Sequence, residues 1–231
     1  MRTVMLHCAA LFAVLCLRPG IQAAGAERPN ILLIVADDLN WCDLGCYGNS
    51  DVKTPNIDRL AGEGLRFQRM FTATAMCAPT RQQLYTGIFP VRSGAYPNHS
   101  EVYPGTKSIA HYLKPLGYRV GLAGKRHYGP PEAFPFERVG GAEVDLAAVE
   151  QFIRRDDKQP YCLIVADNSP HTPWNQGDAS RYPPEELTIP PYLFDTPETR
   201  NLLSKYYAEV THIDEAIVAP SLRFVEESGA A

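Results

Sequence analysis

The sequence predicts an α/β fold built on a parallel β-sheet, and three observations carry that prediction. Apolar runs of β type alternate with segments of helical period along the chain. The first run, residues 30–36 (NILLIVA), is uniformly apolar, as a central strand covered on both faces should be. The 231 residues are 45% hydrophobic and 21% charged, a composition that suits a packed core and excludes a disordered, fibrous or multiply membrane-spanning chain.

The first residues read as a secretory signal rather than as part of the fold. Arg2 supplies the positive end, residues 4–17 form an apolar run too short to span a bilayer, and Ala24-Gly25-Ala26 offers a small-residue cleavage site. Residues 1–26 are therefore expected to leave, and residues 27–231 to work outside the cytoplasm with no membrane span. That compartment is periplasmic or extracellular in a bacterium, and lysosomal or secreted in an animal. Cleavage removes Arg2 and Arg18 and no acid, which takes the formal charge from −4 to −6. Such a surface does not draw in nucleic acid, and an anionic substrate must be captured by a local positive cluster or a metal ion.

After the first strand, Pro55–Glu63 reads as a helix, with Thr54 as N-cap, Pro55 at the first position and Gly64 at the end. Residues 65–69 read as a short strand. Residues 108–116 form a short helix weakened by Pro115, and residues 118–123 a strand. Residues 145–154 make an amphipathic helix with Leu146, Val149, Phe152 and Ile153 on one face, leading into the strand Tyr161–Ala166. Residues 168–197 are a proline-rich loop of the kind that forms a binding surface. Residues 198–219 return to helical period, with Leu202, Tyr206, Val210, Ile213 and Ile217 as the buried stripe.

In an open parallel sheet, ligands sit beyond the carboxyl ends of the strands. Asp37 and Asp38 follow the first strand; Gly124, Lys125, Arg126 and His127 follow the strand at 118–123; Asp167, Asn168 and His171 follow Tyr161–Ala166. Two adjacent carboxylates in a partly buried rim repel unless a cation neutralises them, and their hard oxygens favour calcium or magnesium over zinc. His99, His111 and His212 read as structural or surface residues. Cys42, Cys46, Cys77 and Cys162 are too few for a disulfide scaffold and read as structural, except that Cys77 stands near the start of a helix, in CAPTRQQLYTG. A helix N-terminus lowers a thiol pKa, so a thiolate nucleophile with His127 or His171 as base is one reading of that stretch, and a buried unpaired cysteine is the other.

The sequence Cys77-Ala78-Pro79-Thr80-Arg81, continuing into LYTG, is similar to the C-x-P-[ST]-R signature of the sulfatase family, and it lies between NILLIVADD and GKRH in that family's order. The resemblance spans residues 29–228. It implies the parallel-sheet, alkaline phosphatase-like sulfatase fold, N-terminal portion only, and one calcium ion held by Asp37, Asp38 and the modified Cys77. Cys77 would be converted to formylglycine by the formylglycine-generating enzyme, and Arg81 would stabilise the hydrated aldehyde. Lys125 and His127 match the pair that contacts nucleophile and sulfate, and His171 the group that protonates the leaving atom. GKRHYGPPEAFPF and PPYLFDTPETRNLLSKYYAEVTHID resemble the heparan N-sulfatase branch, which points to N-sulfated glucosamine or a related sulfated glycan. A sulfatase acting on sugar O-sulfates shares most of these residues. The family pattern continues with a strand ending in Ser-Asp-[His/Asn]-Gly and a C-terminal subdomain, which the 231 residues do not contain. A non-catalytic sulfatase-like chain therefore stands as the competing reading, and a metal phosphatase using Thr80 as a third.

Overall fold

The computed structural model describes residues 28–229, so the expected signal at 1–26 lies outside the described residues. Four strands, β1 (Ile31–Val35), β2 (Arg119–Gly124), β3 (Glu137–Val139) and β4 (Tyr161–Ala166), form one wholly parallel sheet in the order β1-β4-β2-β3. The helices are α1 (Pro55–Glu63), α2 (Cys77–Thr86), α3 (Pro90–Ser93), α4 (Ile109–Leu113), α5 (Leu146–Arg154), α6 (Pro197–Ile213) and α7 (Ala219–Glu227). A π-turn at Asp214–Val218 joins α6 to α7. None of the helices among the described residues is long and apolar enough to cross a membrane.

The register places Ile31 opposite Cys162, and Arg119 opposite Tyr161, so β1, β4 and β2 all end at the same level. That alignment brings the residues after each strand to one rim. β2 and β4 are buried along their whole length, whereas β1 is half-buried and stands at the edge of the described sheet. The expectation of a central first strand is corrected in position only. Leu32 and Ile34 pack into the core of α5 and α7, and Leu33 and Val35 into the opposite core around Tyr85 and Phe134, so both faces are covered. An all-apolar run reports covered faces but not the number of neighbouring strands. Burying a side chain such as Leu122, Leu163 or Ile164 stabilises the sheet by about 1.5–3 kcal/mol.

Residues 65–69 are not a strand. Leu65 is 80% and Phe67 57% exposed, and no ladder partner runs beside them among the described residues. A run of β-type residues becomes a strand only where an edge pairs with it. The buried stripe of α6 is also displaced: Leu202 is exposed, and Leu203, Tyr207, Val210 and Ile213 are buried. The doublets Leu202-Leu203 and Tyr206-Tyr207 fit two helical registers equally, and packing selects the second.

Helix α1 is capped differently from its sequence signal. Thr54 occupies the N-cap, but its hydroxyl accepts from the Gly45 N–H at 3.1 Å and donates to Asp58. The fully buried Asp214 carboxylate, from the π-turn, instead accepts from the N–H groups of Asn56 (3.2 Å) and Ile57 (2.7 Å) and from the Asn56 amide (2.8 Å). It satisfies helix donors that would otherwise lack partners. The 17 residues of α6 are thereby locked to α1.

Candidate active site

Three backbone hydrogen bonds clip the strand ends together: Asp37 N–H to the Ser169 carbonyl (3.1 Å), Asp167 N–H to Val35 (3.0 Å) and Lys125 N–H to Ala166 (2.8 Å). Gly124 ends β2 at φ 79°, and a Cβ there would stand 2.2 Å from the Ala166 carbonyl oxygen. No side chain fits, so glycine is required for the chain to turn and present Lys125.

Asp37 is buried between two cations. Lys125 Nζ donates to one carboxylate oxygen, and Arg81 Nη2 lies 3.4 Å from the other. Burial pushes the Asp37 carboxyl up, but the Lys125 hydrogen bond and the charges of Arg81 and Lys125 outweigh it and hold the group below its ordinary value. Arg81 is itself buried; Nη1 donates to the Lys125 carbonyl at 3.4 Å, and Nη2 has no hydrogen-bond partner. The Asp37 carboxylate offsets the burial of the guanidinium, and Nη2 keeps a donor that a further anion can take.

Cys77 is the first residue of α2, as the helix reading of its stretch anticipates. Its Sγ lies 4.0 Å from Asp38 Oδ1, and ligand atoms of Asp37, Cys77 and His171 all lie within 4.8 Å of one another. Burial and the neighbouring Asp37 push the Cys77 thiol up, which disfavours the thiolate despite the helix terminus. The thiolate-nucleophile reading is therefore not supported by the surroundings of the sulfur.

The helix carrying Cys77 is fixed by residues that the sequence did not single out. Asn98 Oδ1 accepts from the Ala78 N–H (3.2 Å). The fully buried Gln82 donates to the Ala78 and Ser100 carbonyls (3.2 and 2.8 Å) and accepts from the Val102 and Gly129 N–H groups (3.1 and 3.4 Å). It ties α2 to the loops on either side of the site.

His127 pairs with a second histidine: its Nε2 faces His99 Nδ1 at 2.9 Å, with the two rings 4.8 Å apart. Burial, then the positive charge of Lys125, pushes the His127 imidazolium pKa down, so the ring is neutral at neutral pH. His99, read from sequence as a structural or surface residue, thus belongs to the rim. Asp38, His99 and His127 are the described non-glycine residues with left-handed backbone, at φ 61°, 65° and 49°. Such conformations cost energy and gather where a side chain must be aimed. No composition signal foretells them.

His171 sits between Pro170 and Pro173, both preceded by cis peptide bonds. Its Nδ1 pairs with the Thr172 carbonyl at 2.6 Å, so Nε2 is the free nitrogen, 3.6 Å from Asp38 Oδ2. The loop is held from α6 by the buried Glu209, whose carboxylate accepts from Ser169 Oγ (3.3 Å) and the N–H groups of Gln176 (2.5 Å) and Gly177 (3.3 Å). Asp167 is occupied by the same loop, accepting from the Ser169 N–H at 2.7 Å. Among the described residues, Cys42, Cys46, Cys77 and Cys162 are all free.

The adjacent carboxylates of Asp37 and Asp38 suit a hard cation in donor chemistry and in reach of Cys77. They supply only part of the six to eight oxygens that calcium takes.

The sulfatase family model matches residues 29–145. The ulvan-active sulfatase of Formosa agariphila is 37% identical over 159 residues, covering 65% of this chain and 32% of that protein. The human N-sulphoglucosamine sulphohydrolase is 28% identical over 250 residues, covering 91% of this chain and 48% of the relative. The crystal structure of yidJ from Bacteroides fragilis has a TM-score of 0.75 at 24% identity, over 91% of this chain and 61% of that one. The chain thus spans about half or less of the length of these curated relatives. With the family model covering half of the sequence and the strand-end site built as described, the chain belongs to the sulfatase family.

Proposed function

We propose that the site hydrolyses sulfate from a sulfated sugar, with N-sulfated glucosamine as the favoured substrate. The observation that supports this most is the convergence of Cys77, at the start of α2, with Asp37, Asp38 and His171, backed by Arg81 and Lys125. Preference for the N-sulfate rests on the similarity to the human N-sulphoglucosamine sulphohydrolase along nearly the whole chain.

Asp37, Asp38 and the modified Cys77 would hold one calcium ion, which supplies Lewis-acid charge toward the sulfuryl oxygens when bound. Oxidation of Cys77 by the formylglycine-generating enzyme supplies an aldehyde hydrate, whose paired hydroxyls a serine or cysteine lacks. Lys125 and Arg81, whose Nη2 makes no hydrogen bond, hold positive charge where the sulfuryl oxygens gather, in a buried setting that strengthens it. Neutral His127, paired with His99, passes a proton without adding charge. His171 keeps Nδ1 on Thr172 and offers Nε2 to the departing nitrogen or oxygen. Export of residues 27–231 is part of the proposal, in a compartment where sulfated glycans are met.

The test is sulfate release by the chain made together with the formylglycine-generating enzyme and assayed with calcium. Release from N-sulfated glucosamine, abolished by Cys77→Ala, is expected. Release confined to O-sulfated sugars would overturn the substrate choice. The pairing of Asp37 with Lys125 favours the second reading, a non-catalytic chain that binds sulfated glycans, and that reading expects release from neither.

A further inference from the structure

Next to the strand-end site, a cavity of about 560 Å³ opens over the ends of β2 and β3. Lys125, Arg126, His127, Arg138, Glu143 and Asn168 line it together with small residues. Three fixed cations therefore face one acid, and Glu143 is occupied by the Asn168 amide at 3.0 Å. Lys125 is spoken for by Asp37, but Arg126 and Arg138 form no ion pair among the described residues. Arg138 gives one long hydrogen bond, 3.4 Å, to the Leu122 carbonyl.

Arg126 and Arg138 are both exposed residues, yet both line this one cavity. Burial and the charge of Arg126 push the Arg138 pKa down, the sign of two like charges held close together. Gly141 leaves open space beside them: a Cβ there would meet nothing within 4 Å. The cavity is continuous with the catalytic rim through Lys125 and His127. The backbone of β3 stands three strand positions from β1, about 14 Å at ~4.8 Å per strand, so Arg138 is set apart from the Asp37 end of the rim.

We infer that Arg126 and Arg138 form a second anion subsite, which binds another acidic group of the same glycan beside the sulfate held at Cys77. Paired guanidinium forks match the oxygens of a carboxylate or a second sulfate. The inference rests on the sulfated-sugar reading and adds to it a requirement for a substrate with at least two negative groups. It also names the residues that select for one.

The experiment is calorimetric binding to the full chain of three sugars: glucosamine N-sulfate, glucosamine 2-N,6-O-disulfate, and N-sulfated glucosamine linked to a uronic acid. The wild type is expected to bind at least one dianionic sugar about tenfold more tightly than the monosulfate, in line with charge-assisted pairing at a half-exposed site. The gain on the disulfate marks a sulfate subsite, and the gain on the uronate a carboxylate subsite. R126Q and R138Q together should erase the preference and leave monosulfate affinity unchanged, which also shows that the variant is folded; each single variant should erase part of it. Retention of the preference in the double variant, or no preference in the wild type, overturns the subsite. Equal loss of monosulfate affinity overturns it too, because the arginines would then serve the shared site. Binding of no sugar by the wild type, or monosulfate binding indifferent to Lys125→Met, overturns the underlying sulfated-sugar reading instead.

Discussion

Replacing Lys125 with methionine keeps the length of the side chain and removes its charge from Asp37. Asp37 is 5% and Lys125 18% exposed in their side chains, so the pair is largely shielded from water. Breaking a buried pair from one side costs about 3–5 kcal/mol, because the remaining charge is left uncompensated. Arg81 still stands 3.4 Å from the other oxygen of Asp37, and Lys125 admits some water, so the expected loss at neutral pH falls below that range, at about 2–3 kcal/mol. The sign of its pH dependence follows from the carboxyl. The folded pKa of Asp37 lies below the ordinary 3.8, so its contribution is complete above that value and disappears as pH falls through the folded pKa. Wild type and variant should therefore differ fully at about pH 7, begin to converge as pH falls below about 4, and coincide only once pH has passed below the lowered folded pKa. Urea unfolding of both proteins across that range measures the difference. A destabilisation of the same size at every pH would refute the argument, since it would mean that Lys125 contributes packing and not charge.

Gly124→Ala should destabilise the fold by about 2 kcal/mol or more in thermal or urea unfolding, through left-handed backbone strain and the clash with Ala166. Asp214→Ala should cost about 1–3 kcal/mol by uncapping α1, and hydrogen exchange should speed at Asn56 and Ile57 before the sheet opens. Glu209→Gln keeps the shape but weakens the anchor of the His171 loop. Limited proteolysis within residues 169–177 should then accelerate, with stability reduced by about 1–2 kcal/mol.

The strands and α5 are legible in the sequence because their apolar patterns are unambiguous and their boundaries fall at Gly, Pro or a capping Asp. Asp145 caps α5 with both the Ala147 and Ala148 N–H groups, and Tyr161–Ala166 is a strand along the whole run that the pattern marks. What the sequence conceals depends on long-range contact. Residues 65–69 need a partner strand to become one, and Leu202 loses its place to Leu203 only when the core forms. Thr54 carries the expected capping chemistry, but Asp214, 158 residues from Asn56 along the chain, performs the capping. At the site, CAPTR marked Cys77 and Arg81, and position after the strands marked Asp37, Asp38, Lys125, His127 and His171. His99 escaped because its value lies in a left-handed backbone that aims it at His127. Gln82 and Glu209 escaped because buried polar residues on helices look like surface residues until their partners are known.

Sulfate hydrolysis at this site, as proposed, requires Cys77 to be a precursor and not a working thiol. The direct measurement is mass spectrometry of the tryptic peptide at residues 70–81 (MFTATAMCAPTR), from the chain made in cells that contain the formylglycine-generating enzyme. The expected result is an aldehyde in place of the Cys77 side chain, trapped by a carbonyl reagent and absent when the enzyme is withheld. A peptide that carries only unmodified cysteine under both conditions would contradict the account.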